Sequence, residues 1–110
     1  MKIKELVDAN ALVDDYDKYK QEIIRTSFLY VVTLNYSGGP GSSQREIRSG
    51  DRLNAVKVAI IRSIEAQASA VLGKLNGAGV NITGERERLD SLVNKAIAGP
   101  ITDGVVEFQP

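Results

Sequence analysis

The sequence predicts a single, mainly α-helical domain: an antiparallel hairpin of two long amphipathic helices, a shorter third helix and an extended tail. Three observations predict it. Apolar residues recur at helical spacing over about 11–36, 50–76 and 84–98. Gly-rich punctuation separates these stretches, at Ser37-Gly38-Gly39-Pro40-Gly41-Ser42-Ser43 and at Asn76-Gly77-Ala78-Gly79. The chain has 110 residues, 43% of them hydrophobic. That is enough for one modest core and too little for two, so residues 1–110 read as one domain.

In the first stretch Leu12, Tyr16, Tyr19 and Ile23 make a helical face that starts near Asn10 or Ala11, with Asp14 and Asp15 near its first turn. The apolar groups of residues 3–9 fall on a different side, which predicts a break near residues 8–10. Residues 27–36 (SFLYVVTLNY) read two ways. As a helix, Tyr30 and Leu34 continue the Leu12 face and give one rod over 11–36, matched in length to the rod over 50–76. As a strand, Phe28, Tyr30, Val32, Leu34 and Tyr36 alternate onto one side, and their β-branched and aromatic content suits it. The alternative is then a small α+β domain, with residues 80–83 and 105–108 as possible strand partners. The helical reading is the main expectation.

The middle helix, about 50–76, is the clearest. Leu53, Val56, Ile60, Ile64, Val71 and Leu75 fall in one arc, widened by Val58, Ile61 and Leu72. Gln67 lies inside this arc where Leu is expected, and Lys57 lies at its edge. Ser49 suits the N-cap, Asp51 the first turn, and Asn76-Gly77 the stop. In the last helix Leu89, Leu92, Val93, Ala96 and Ile97 keep the i, i+3, i+4, i+7, i+8 pattern. Thr83 suits its N-cap, Glu85 and Glu87 its positive end, and Gly99-Pro100 its end. The residues from 100 to 110 read as an extended tail.

Composition excludes much chemistry. There is no Cys and no His, hence no thiolate nucleophile, no Cys-ligated metal and no imidazole base. The acidic groups Asp14, Asp15 and Asp17 read as a solvated helix start, lacking the turning Gly and six oxygens of a calcium loop. No Gly-x4-Gly-Lys-Ser/Thr motif is present, and Gly77, Gly79 and Gly84 do not have dinucleotide-fingerprint spacing. No catalytic, cofactor-binding or metal-binding residue is expected, and no enzyme. The first twenty residues carry acids where a signal peptide needs an apolar run, so secretion through such a signal is not expected. Nor is a membrane span, since the longest apolar runs are a few residues.

Charge is balanced at fourteen basic and fourteen acidic groups, yet unevenly spread. Residues 1–36 hold five basic and six acidic groups, residues 37–80 six and three, and residues 81–110 three and five. The basic middle suggests a polar contact flank of Arg45, Arg48, Arg52 and Arg62, provided helix reaches back to residue 45. Tyr16, Tyr19, Tyr30 and Tyr36 suit a half-wet packing or contact face. Val105, Val106 and Phe108 suit an inter-subunit arm. Two long amphipathic helices expose more apolar stripe than a lone chain of this length covers. The expectation is therefore a non-enzymatic assembly protein acting through a homo-oligomer or a larger protein complex. A virion component such as that of a phage is one instance, and a cytoplasmic or virion-associated place is expected. The alternative is a small nucleic-acid-binding or regulatory protein using Arg45, Arg48 and Arg52.

Overall fold

Helix α1 covers Ile3–Ser27, strands β1 and β2 cover Val32–Tyr36 and Ser43–Ile47, and helices α2 and α3 cover Asp51–Gly77 and Glu85–Ala98. These elements belong to a computed structural model that describes residues 3–36, 43–48 and 50–101. The mainly α class is thus found. Its first rod differs from expectation at both ends. Helix runs unbroken through residues 8–10, because Asp8, Ala9, Asn10 and Ala11 include no breaker and one helix can carry apolar groups on two faces. It then stops at Ser27 rather than at 36.

The stop has a local cause. The Thr26 hydroxyl donates back to the Glu22 carbonyl at 2.7 Å, and the Ser27 hydroxyl donates to the Ile24 carbonyl at 2.5 Å. Turn bonds follow from Phe28 N–H to Arg25 and from Leu29 N–H to Thr26. Such side-chain bonds compete with the helix ladder. Beyond them strand begins at the β-branched pair Val32-Thr33. The strand reading of this segment therefore holds for residues 32–36. Its partner is β2, in the antiparallel register Val32↔Ile47, Leu34↔Arg45 and Tyr36↔Ser43, and not residues 80–83, which turn between helices. The second suggested partner, residues 105–108, lies outside the described residues.

Helix α2 is the spine. It buries Leu53, Ile61, Ile64, Ala68, Val71, Leu72 and Leu75. This seam is turned towards Ile61 and Leu72 relative to the expected arc. Ile61 is 0% exposed while Ile60 is 37% exposed, Val56 is half-buried and Gln67 faces water. Gln67 is thus no core anomaly. Against the seam pack Tyr16 and Ile23 of α1, and Leu89, Val93 and Ala96 of α3, with Ile101 closing the end. Ala68, wholly buried, lacks the bulk to hold its neighbours apart.

The helix ends differ slightly from the sequence expectation. Ser49 lies outside the described residues, and the N-cap position of α2 is Gly50, whose φ of 85° disfavours any side chain. Asp51 does sit in the first turn. At the other end Val80 N–H reaches the Leu75 carbonyl at 3.0 Å and Gly79 N–H reaches Asn76 at 3.1 Å. With Gly79 at φ 87°, this is a Schellman ending centred two residues past the expected stop. Thr83 does not cap α3. Its hydroxyl and N–H both donate to the Asn81 side-chain carbonyl, at 2.6 and 3.0 Å, and Gly84 takes the cap position instead.

A Ser27-centred junction fixes the far end. Ser27 is fully buried. Its hydroxyl oxygen accepts the Ile101 N–H at 3.2 Å, and its carbonyl accepts the Lys57 ammonium at 2.9 Å. One residue so ties α1, α2 and the segment after α3. It also explains a lysine at the edge of α2's apolar arc. Among the described residues no buried side-chain polar atom lacks a partner.

The seam sets a prediction. Ile61→Ala should cost about 2–5 kcal/mol of unfolding free energy, as expected for a large-to-small core change, whereas Ile60→Ala should cost clearly less. Urea denaturation of both variants checks this, and equal losses would misplace the seam.

Candidate interaction surfaces

The helices leave two apolar regions in water. The first follows from the helical spacing of Ile3, Leu6, Val7 and Val13, which share one side of α1. The core-facing side carries Ala9, Tyr16 and Ile23 instead. Ile3 is 83% exposed, and Leu6, Val7 and Val13 are exposed as well. Val13 also lines a groove of about 490 Å³, shared with Leu72 and Leu75 of α2 and with Val80 and Ile82 of the α2–α3 connection. Val13 is thus the residue that the stripe and the groove share. Asp17, Lys20, Asn81 and Glu85 give the groove its polar lining.

The second region surrounds the exit from α1. Phe28 and Tyr30 are exposed there, Tyr30 at 74%, and Ile60 is exposed one turn beyond Lys57. From this end the β1–β2 ribbon leaves the helices with scarcely any contact to them. Opposed residues of the ribbon share a face, so Val32, Leu34, Arg45 and Ile47 lie together. Thr33, Asn35, Gln44 and Glu46 take the other side and are exposed. A two-stranded ribbon without a covering layer is marginal in water.

The sequence-derived contact residues are distributed as follows. Arg45 lies exposed on β2, and Arg48 just beyond it holds Glu46 at 2.7 Å. Arg52 is exposed in the first turn of α2, and Arg62 is paired with Glu65 at 2.9 Å. They do not form one helical flank, because helix does not reach back to residue 45; the segment pairs as a strand. Tyr16 is 4% exposed and belongs to the core, so it offers no free contact face. Tyr19 is half-buried against that core. Val105, Val106 and Phe108, the Gly-rich segment 37–42 and the tail from 102 lie outside the described residues. Tyr30, one of the tyrosines expected to pack or to meet a partner, is exposed, whereas Phe28 and the α1 stripe are not among the expected contact residues. The signal for the stripe was its second apolar face.

Tyr16 is polar chemistry turned to structure. Its hydroxyl donates to the Glu85 backbone carbonyl at 3.4 Å, and the Lys20 ammonium sits 4.6 Å from its ring centre. Lys20 also meets Asp17 at 3.4 Å. Burial, then the nearby Glu85 carboxylate, push the phenol well above its ordinary range. Among the described residues no group of three acidic, His or Cys side chains is placed to hold a metal ion. A shallower recess between α2 and α3 is crossed by Arg86 donating to the Ser69 hydroxyl at 2.9 Å, with Arg62, Glu65 and Asp90 around it. Arg62 is paired there with Glu65, and the two cations and two anions of the recess balance. Among the described residues no helix is long and apolar enough to cross a membrane. Comparison with family models, curated proteins and solved structures gives no match for this chain.

The Tyr16 environment sets the alkaline behaviour. The unfolded chain releases this proton near pH 10.0, while the folded chain keeps it to higher pH. The stabilisation is complete below the unfolded value and is lost as pH rises towards the folded one. Stability should therefore fall more steeply above pH 10.0 in the parent than in Tyr16→Phe. Chemical denaturation across that range checks it, and parallel curves would refute it.

Proposed function

We propose that this chain is a non-enzymatic structural protein that works by joining copies of itself within an assembly, in the cytoplasm or as part of a virion. The observation that carries the reading is the stripe Ile3–Leu6–Val7–Val13, exposed on α1, whose last member also lines an apolar groove. Isolated apolar side chains on a surface are ordinary, but a contiguous patch marks a contact. Fully burying a side chain of this kind contributes about 1.5–3 kcal/mol. The stripe does not serve the chain's own core, since α1 meets α2 and α3 with its other face.

Shape supports the same reading. The body measures 56 × 35 × 17 Å with a radius of gyration of 17.2 Å, against about 13 Å for a globule of this length. Slender bodies have much surface and little interior. The uncovered ribbon adds a second element that a neighbour would complete.

Native mass is the test. The parent should sediment above its monomer mass of 11.9 kDa, increasingly so at higher concentration. Leu6→Asp with Val7→Asp should return it to monomer with its helical spectrum intact, because both positions are exposed. A parent that stays monomeric at every concentration, or a double variant that assembles unchanged, would overturn the proposal.

A further inference from the structure

The two apolar regions lie at opposite ends of the body. Helices α1 and α2 run antiparallel, since Ser27 meets Lys57 while Val13 and Tyr16 border Leu72 and Leu75. The stripe therefore sits towards the C-terminal end of α2, and Phe28 and Tyr30 sit at its N-terminal end. From Leu6 to Phe28 is roughly 33 Å along the helix axis at 1.5 Å per residue. The two regions of one chain cannot cover each other.

They also differ in charge. Residues 1–20 hold four lysines against five acids, a net −1, while residues 43–65 hold five basic groups against three acids, a net +2. On α1 the helical spacing places Asp14 and Asp17 in line with Val7 and Val13. At the other end β1 begins two residues after the exposed Tyr30, and its first residue, Val32, pairs with Ile47, directly before the exposed Arg48. One end is aliphatic with an acidic border. The other is aromatic with a basic border. That pairing of shapes and charges is what contact surfaces between different patches use.

Resting on the self-assembly reading above, we infer that the contact is head-to-tail: the stripe and groove of one copy receive the Phe28–Tyr30 end and ribbon base of a second copy. A symmetric contact through α1 would bring two acid-rich ends together and leave both basic ends uncovered. A head-to-tail contact gives each copy one donor end and one acceptor end, so growth does not stop at two. It closes as a ring or continues as a filament. Added salt weakens it, because opposite net charges meet.

A mixing experiment decides this. Leu6→Asp disables the acceptor end and Tyr30→Asp the donor end. Each variant alone should sediment as a monomer. An equimolar mixture should give a dimer of one copy of each and nothing larger, since each retains one working end. Wild type should continue to larger species, shifting towards monomer as salt rises. Should either aspartate alter the helical spectrum, Leu6→Ser and Tyr30→Ser replace them. A Tyr30 variant that assembles like wild type, beside a Leu6 variant that does not, would overturn the head-to-tail contact while leaving self-assembly standing. A wild type that stops at a dimer would also overturn it. A wild type that is monomeric throughout would remove this inference and the reading it rests on together.

Discussion

Each helix of this fold can give only one face to the seam on α2, and that constraint decides what remains outside. Ile23, Ile61, Leu72 and Val93, all but free of water, come from three helices and meet along one line. Ala68 lets the helices approach there. Once α1 has turned Ala9, Tyr16 and Ile23 to this line, its second apolar face points elsewhere. Rotating α1 to bury Leu6 or Val7 would lift Ile23 and Tyr16 out, at the cost of two of the better-packed side chains in the molecule. The exposed stripe is thus a consequence of good packing. The same constraint turns Ile60 and Gln67 outwards on α2.

Much of the helical frame was legible in the residues. α3 was read from Leu89, Val93 and Ala96 because short helices with one clean stripe have one solution. α2 was found with its ends within a residue, but its seam was turned. Ile60 and Ile61 are equally apolar, and only the angle at which α1 and α3 approach selects between them. The end of α1 was misread because Tyr30 and Leu34 keep both helical and alternating spacing. The deciding bonds, from Thr26 and Ser27 hydroxyls, cap no motif that spacing reveals. β2 was the hardest element: Ser43, Gln44, Arg45 and Glu46 are polar, and a strand covered on neither face leaves almost no apolar alternation to read. That is also why the Arg45–Arg48–Arg52 flank dissolved. Of the surfaces, the second face on α1 is visible in the pattern, where the same spacing also reads as a break in the helix.

The Ser27 junction and the ribbon are opposites placed side by side. Ser27 is buried, with its hydroxyl and carbonyl engaged by Ile24, Ile101 and Lys57. Such a fully satisfied polar cluster resists displacement, since removing one partner strands another. Five residues on, the chain enters a ribbon that the helices barely touch. The base of the ribbon is therefore held firmly while its faces stay open. A mount of this kind aims an adaptable element without fixing its final shape.

This arrangement separates two tasks that small domains usually combine. The seam and the Ser27 junction hold the ends of α1 at a set distance, about 33 Å between Leu6 and Phe28. Surfaces at those ends then need no contact with each other, and neither is required for the core to close. Substitutions at Leu6, Val7, Phe28 or Tyr30 change exposed side chains and leave the core in place. Substitutions at Ile61, Ile23 or Ser27 act on whether there are two ends at all. In a head-to-tail assembly the repeat between copies would follow from the length of α1, because that helix spans from one contact to the next. Stability and spacing would then be written in different residues of the same helix: Ala9, Tyr16 and Ile23 for the first, Ile3, Leu6, Val7 and Val13 for the second.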